Sequence, residues 1–453
     1  MAQSDLSLSL ANPYPRGYNT WQKLALALVG LGVLGMLTAV AGGAAAHPAP
    51  LLVLTLAGLM GGGALFAWQA YMTKPAGIQN NGVFFLSESR RGAWGWVLGV
   101  VLTGFYVLLY WFPQYFGLGQ GEGGANAGLV RLFDPLSMAL RHKPADQWFL
   151  YGTFYTVAVL TMGFKFALKY RHNRYQLIRT VSVAFFQLVF AFLIPAWLVM
   201  MNEPEFYFSY FWPLKKEYLF PNDLNYYMTH PGTLGVFMTF WAVAIALIGV
   251  PVLTYFFGKR WYCSWVCGCG GLAETAGDPF RHLSDKSLNA WKIERWLIHS
   301  VLVAIVLLTG VLWINSATQG QVLGGFSQGY AKWYGFLIGS MFSGVIGTGF
   351  YPLMGSRVWC RFGCPQAAIL GIFQRFFSRF RITTNHGQCI SCGNCSTYCE
   401  MGIDVRAYAQ RGQNIVRASC VGCGICAAVC PRGVLRLENG PDTGKSRMEQ
   451  SLF

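Results

Sequence analysis

The chain has 453 residues, 54% of them hydrophobic and only 11% charged, a balance outside ordinary soluble domains and within the range of membrane proteins. Its formal net charge of +16 does not indicate nucleic acid, because the basic residues are scattered between apolar stretches and form no basic domain or helix that could track phosphates. Aromatic residues at 16%, including 16 Trp and 22 Tyr, suit rings anchored at two membrane interfaces.

In chain order, apolar stretches long enough to cross hydrocarbon run at about 24–41, 50–70, 94–112, 149–168, 180–200, 233–256, 296–315 and 334–352, which predicts eight spans. Lys and Arg in the short connections assign their sidedness. Arg16 and Lys23 precede the first span, and Lys74, Arg90 and Arg91 follow the second. Lys169, Arg171, Arg174 and Arg179 link the fourth and fifth, and Lys259, Arg260, Arg281, Lys286, Lys292 and Arg295 link the sixth and seventh. All fall on one side, whereas 42–48 carries no positive charge and 316–332 only Lys332. The positive-inside rule then expects a multi-pass protein of the cytoplasmic membrane with both termini in the cytoplasm. Arg131, Arg141 and Lys143 in 113–148, and Lys215 and Lys216 in 201–232, are the exceptions on the outer side. The Ala-rich GGAAAHPAP after the first span imitates a leader-cleavage site, but the lead before that apolar run is long for a signal peptide.

The resulting fold class is mainly α: a polytopic transmembrane helical domain with a C-terminal bacterial two-cluster ferredoxin-like α+β domain. The domain map is a cytoplasmic segment 1–20, a membrane domain 21–356, an interfacial linker 357–382, the ferredoxin domain 383–440 and a tail 441–453. Short strands are expected at Asn414–Arg417 and Val434–Leu437. The segment GIFQRFFSRFRI, 371–382, mixes Phe and Arg at helical spacing, as expected of a helix on the membrane surface or of a linker packed on the ferredoxin domain.

The most specific pattern is C-x2-C-x2-C-x3-C at Cys389, Cys392, Cys395 and Cys399, repeated at Cys420, Cys423, Cys426 and Cys430. In such a pair of runs three close thiolates hold one cubane and the distant fourth reaches the other. Two [4Fe–4S] clusters are expected, the first on Cys389, Cys392, Cys395 and Cys430, the second on Cys420, Cys423, Cys426 and Cys399. Gly393, Gly422 and Gly424 permit the tight turns that aim backbone N–H groups at sulfur. Glu400 stands where the usual pattern has Pro, so a carboxylate is expected to lower the potential of the second cluster.

A less specific pattern is a second repeat. RWYCSWVCGCGG at Arg260–Gly271 and RVWCRFGCPQA at Arg357–Ala367 each place an Arg three residues before a C-x3-C, directly after a span. Cys263, Cys267, Cys360 and Cys364 could converge on a third metal centre, iron–sulfur ahead of copper or zinc, with Cys269 as an extra thiol. Arg260 and Arg357 would then sit beside its thiolates. His142, His172, His230 and His299 form no pair at matching depth, which disfavours haem. His299 alone lies inside a span and marks a candidate quinone site.

Two C-x3-C sites after membrane helices followed by a two-cluster ferredoxin domain resemble the NosR/NapH family of membrane polyferredoxins, over roughly residues 230–437. The resemblance implies an electron-transfer protein that links a membrane quinone or quinol pool to a redox partner protein inside a multi-subunit complex, with membrane lipids around it. It also implies an alternative in which the chain supports metalloenzyme maturation, and a purely structural anchor is a further alternative. Gly268, where the second site has Pro365, and the additional Cys269 depart from the family pattern, and the first spans are not covered by it. No Walker motif, HExxH or nucleophile elbow occurs, so no bond-making chemistry on an organic substrate is expected.

Overall fold

The computed structural model describes residues 17–43, 47–73, 76, 92–119, 124–321, 323–385 and 387–440. Arg16 and most of the N-terminal segment, Ala44–Ala46 of the Ala-rich run, the basic positions Lys74, Arg90 and Arg91, and the tail 441–453 lie outside the described residues.

The membrane part is built from long helices: α1 Thr20–Gly43, α2 Pro48–Tyr71, α3 Ala93–Trp111, α4 Gln147–Lys169, α5 Arg174–Met200 and α6 Leu234–Phe257. After the short α7, Gly268–Thr275, come α8 Leu288–Ala317, α9 Gly324–Tyr334 and α10 Pro365–Phe376. Helix α1 starts on a capping box in which the side chains of Asn19 and Gln22 exchange bonds with each other's backbone N–H, satisfying donors that a helix start otherwise leaves orphaned. It packs on α2 through the small buried residues Gly32, Gly35, Gly58 and Gly62, which let membrane helices approach closely. Leu31, Val53, Val100, Phe240, Leu247 and Leu307 remain exposed, as lipid-facing side chains should.

Six of these helices are long and apolar enough to cross a membrane, namely α1, α2, α3, α5, α6 and α8. The protein is therefore a multi-pass membrane protein, with six candidate spans among the described residues where the apolar pattern predicted eight. The other two positions are helical but compositionally different. Helix α4 buries Thr153, Thr156 and Lys169 against its neighbours, and Lys169 pairs with Asp278 at 2.7 Å. Helix α9 contains Gln328 and Lys332, and continues as a π-helix over Gly335–Ile346.

The ferredoxin domain is closed by an antiparallel pair, β1 Arg381–Thr384 with β2 Leu435–Glu438, in a register that sets Ile382 opposite Leu437. The strand expected at Asn414–Arg417 is reduced to a single bridge between Ile415 and Ile382. The helix expected through 382 stops at Phe376, because the chain then turns into β1. Helix α10 packs on the ferredoxin domain through Gln374, while Phe376 and Phe377 stay exposed.

Candidate metal centres

The two C-x3-C runs fold as copies. Each follows a glycine with positive φ, Gly258 in one and Gly355 in the other, and in each the second cysteine caps a helix, Cys267 on α7 and Cys364 on α10. The Cys364 sulfur accepts from the backbone N–H of Ala367 at 3.4 Å. Cys263, Cys267, Cys360 and Cys364 are all buried and face one another closely enough that a thiolate at Cys360, Cys263 or Cys267 disfavours one at Cys364. Burial also pushes the Cys263 thiol up to about 12, although the nearby Lys259 ammonium favours its anion. Four converging soft donors, which a bound cation would let ionise together, fit an iron–sulfur cluster or thiophilic metal.

Cys269 is not arranged like the other four. Its thiol donates a hydrogen bond to Cys267, and that bond favours the Cys267 thiolate while holding the Cys269 thiol protonated. The departure at Gly268 has a packing cause. A Cβ there would come within 2.6 Å of both Gln187 Oε1 and Tyr210 Oη, so a larger residue would have to displace those two side-chain ends. A Cβ at Gly270 would lie 2.0 Å from the Cys263 carbonyl oxygen, and glycine is required.

The matched arginines do not play matched parts. Arg357 Nη1 donates to Cys360 Sγ at 3.6 Å and to the Cys263 carbonyl at 3.3 Å, as expected. Arg260 instead stacks on Phe380, with 4.8 Å from guanidinium to ring centroid, and turns towards the ferredoxin domain. Its expected place beside the thiolates is taken by Lys259, buried and bonded to the Ala418 carbonyl at 3.2 Å. The repeat hides this exchange, because Ser356 stands at the position equivalent to Lys259.

The ferredoxin runs sort as their spacing implies. Cys389, Cys392, Cys395 and Cys430 line one cavity, and thiolates at Cys423, Cys420 and Cys399, and to a lesser degree at Cys395, disfavour one at Cys426. Backbone N–H groups point at sulfur here too, as from Val434 to Cys430 at 3.4 Å. Such bonds offset the negative charge that a thiolate-bound cluster carries. The second run lies against the membrane part, which satisfies its backbone carbonyls one after another. Gln374 bonds that of Cys420 at 2.7 Å, Ser264 that of Val421 at 2.8 Å, and Tyr175 and Gln176 those of Gly422 and Cys423 at 2.9 Å each. At the far side, Cys392 and Ile390 are exposed.

Glu400 is buried and bound by Arg281 at 2.8 Å and by Arg357 at 2.9 Å, which offset part of its charge, yet that charge still disfavours a thiolate at the neighbouring Cys423. Burial alone would raise its carboxyl, but Arg281 and Arg357 outweigh burial and hold it below the usual carboxylate range. Glu274 joins them, paired with Arg357 at 2.6 Å and with Arg179. Oxygens of Glu274 and Glu400 and the Cys423 sulfur all lie within 4.8 Å of one another, yet with three guanidiniums already on the carboxylates this is an ion cluster, not a cation site.

The histidines are dispersed. His230 pairs with Glu203 at 3.2 Å, His142 caps a short helix with φ 55°, and His172 lies beside the Tyr170 ring. The His299 ring nitrogen contacts the Arg295 carbonyl of its own helix at 2.6 Å.

Comparison with known proteins matches residues 239–287 and 324–383 to a 4Fe-4S binding domain and residues 388–435 to a 4Fe-4S dicluster domain. The first match contains both C-x3-C sites, the second the ferredoxin runs. The chain carries 4Fe–4S binding domains. It is 26% identical to the putative electron transport protein YccM of Escherichia coli over 36% of its own length and 48% of that protein. It is 28% identical to the methylamine utilization ferredoxin-type protein MauN of Paracoccus denitrificans over 35% and 56% of the two chains. Its identity to the ferredoxin-type protein NapH of Escherichia coli is 29%, over 34% and 53%. The chain spans about half the length of these curated relatives, and no solved structure matches it.

Proposed function

We propose that the protein carries single electrons through three metal centres between a membrane quinone pool and a redox partner protein. In this reading Cys263, Cys267, Cys360 and Cys364 hold the centre nearest the membrane. Cys420, Cys423, Cys426 and Cys399 hold the middle cluster, and Cys389, Cys392, Cys395 and Cys430 the outermost. Each [4Fe–4S] cluster supplies a one-electron redox step when bound. The observation that carries the reading is the contact path made by Arg357. It touches Cys360 Sγ and Glu400, and the Glu400 carboxylate abuts Cys423 Sγ. Arg357 and Lys259 keep positive charge beside the thiolates, and Cys269 donates to Cys267. A maturation factor would need thiols open to exchange, whereas Cys263, Cys267, Cys360 and Cys364 are 5–6% exposed.

The test is to add a reduced short-chain quinol to the anaerobically purified full chain in lipid nanodiscs and follow cluster absorbance and EPR. Reduction by quinol supports the reading. Clusters reducible by dithionite but inert to quinol would remove the quinone pool from it. Iron analysis should give about twelve atoms per chain for three cubanes, and about eight would leave the C-x3-C site without one.

The partner is expected at the outermost cluster. Arg406 and Arg432 rim its cavity, exposed like Arg411 and Arg436 nearby, while Glu400 is buried and Asp404 is engaged by Ser396 at 2.7 Å. A redox partner with an acidic face fits this rim. Reversing both charges, Arg406→Glu with Arg432→Glu, should slow partner reduction on the order of tenfold at low salt and much less at high salt. An unchanged rate would place docking elsewhere. Sidedness is proposed from the Lys and Arg distribution: a reporter after Phe453 should be active in the cytoplasm and one within 316–332 outside it, and the reverse result would invert the assignment.

A further inference from the structure

Beside the C-x3-C thiols a second cavity enters the helical region. Cys269 and Cys360 form one end of it, and Tyr110, Tyr151, Tyr155 and Tyr351 supply most of its wall. Its interior is small, about 50 Å³, below the roughly 300–1,000 Å³ of sites that enclose a whole drug-sized ligand, so it can take one end of a molecule and not the whole of it.

Three features define what it can take. No charged side chain and no histidine is among its lining residues, so an ionic ligand such as a nucleotide or a phosphate ester would be buried without a counter-charge, at prohibitive cost. Its walls are aromatic, with the Trp359 ring beside the tyrosines, and favour a flat ring that can stack. Its polar groups are hydroxyls already oriented by their neighbours. Tyr110 shares a hydrogen bond with Ser343, and Tyr106, behind the wall, shares bonds with both Tyr151 and Thr348. Hydroxyls on more than one side can donate to a molecule with two carbonyl oxygens. Ser343 and Gly344 come from the π-helical stretch Gly335–Ile346, and wide turns of this kind are frequent at functional sites.

We propose that this cavity, walled by Tyr110, Tyr151, Tyr155, Tyr351 and Trp359 and ending at Cys360 and Cys269, seats the headgroup of a membrane quinone. A neutral, flat, lipid-soluble ring with paired carbonyl oxygens satisfies all three features at once. The inference rests on the reading that the chain exchanges electrons with the quinone pool, and it moves the site of that exchange away from His299, which does not line the cavity. Cys360 is then the structural link, because its side chain borders the cavity on one side and faces Cys267, Cys263 and Cys364 on the other.

The test uses the full chain in nanodiscs with an azido-quinone photolabel, mapped by mass spectrometry and competed with unmodified quinone. Labelling is expected on the segments that carry Tyr110, Tyr151 or Ser343. Tyr110→Phe and Tyr151→Phe keep the rings and remove the hydroxyls, and should each raise the competing concentration needed by about tenfold. Ser343→Ala, a milder change, should do so less, with unchanged iron content certifying the fold of every variant. Competed labelling on α8 around His299, or labelling that these variants leave untouched, would overturn the site while quinol reduction of the clusters kept the broader reading. No competed labelling anywhere, together with clusters inert to quinol, would overturn both.

Discussion

Replacing Cys360 with Ser is expected to abolish electron flow between quinol and the ferredoxin clusters while leaving both ferredoxin signals present and reducible by dithionite. Serine keeps the shape of the side chain but is a poor ligand for an iron–sulfur site, so the centre nearest the membrane should lose its EPR signal and about four irons. The two ferredoxin clusters use none of the C-x3-C cysteines in the assignment proposed above, and their own thiols sit in separate turns, so they serve as the internal control. A loss of quinol-driven reduction of at least about a hundredfold is expected, since this centre is the only relay on the membrane side in the proposed path. Intact quinol-to-ferredoxin transfer in Cys360→Ser would defeat the relay and leave a ferredoxin domain fed by another donor. Cys269→Ser provides the contrast. The Cys269 thiol donates to Cys267, so its replacement should keep the centre but change its EPR line shape and potential, because a hydrogen bond to ligand sulfur tunes the cluster it holds.

What the sequence made legible follows from the range of each interaction along the chain. The ferredoxin ligand runs are local, fixed by spacings of two and three residues, and the repeat of the C-x3-C motif is visible as a pattern even though its halves stand far apart. The strand Arg381–Thr384 was not legible, because its partner Leu435–Glu438 is distant and a Phe/Arg-rich run reads naturally as a helix. The exchange of Arg260 for Lys259 beside the thiolates depends on which way each side chain leaves a single turn, which matched spacing cannot show. The Glu400 contacts with Arg281 and Arg357 join a ferredoxin turn to two membrane-side loops, so a carboxylate read only as an electrostatic neighbour of a cluster is also one member of a buried ion cluster. The span count fell from eight to six because the other two positions are less apolar along their helices, α4 carrying Lys165 and Lys169 and α9 carrying Gln328 and Lys332.

Glu400→Ala is expected to destabilise the seating of the ferredoxin domain on the membrane part by roughly 3–5 kcal/mol, the usual cost of breaking a buried ion pair from one side. Its carboxylate is 1% exposed and answers two guanidiniums, Arg281 and Arg357. Water cannot replace it, so each arginine would be left with a single acidic partner, Asp278 for Arg281 and Glu274 for Arg357. Those remaining pairs place the loss nearer 3 than 5 kcal/mol. Protease sensitivity between α10 and β1 should rise, and thermal release of the ferredoxin clusters should begin at a lower temperature. Glu438→Ala is the matched control, because that carboxylate is only partly buried and accepts from the Thr383 hydroxyl at 2.9 Å, an interaction worth roughly 1 kcal/mol. The mechanism adds a second readout. Arg357 pairs with Glu400 through Nη2 and donates to Cys360 Sγ through Nη1, so removing that carboxylate should shift the potential of the membrane-side centre while leaving that of the outermost cluster, on the far side of the domain, unchanged. A Glu400→Ala protein as stable as Glu438→Ala, with both potentials unmoved, would show that the ion cluster neither seats the domain nor couples the two centres.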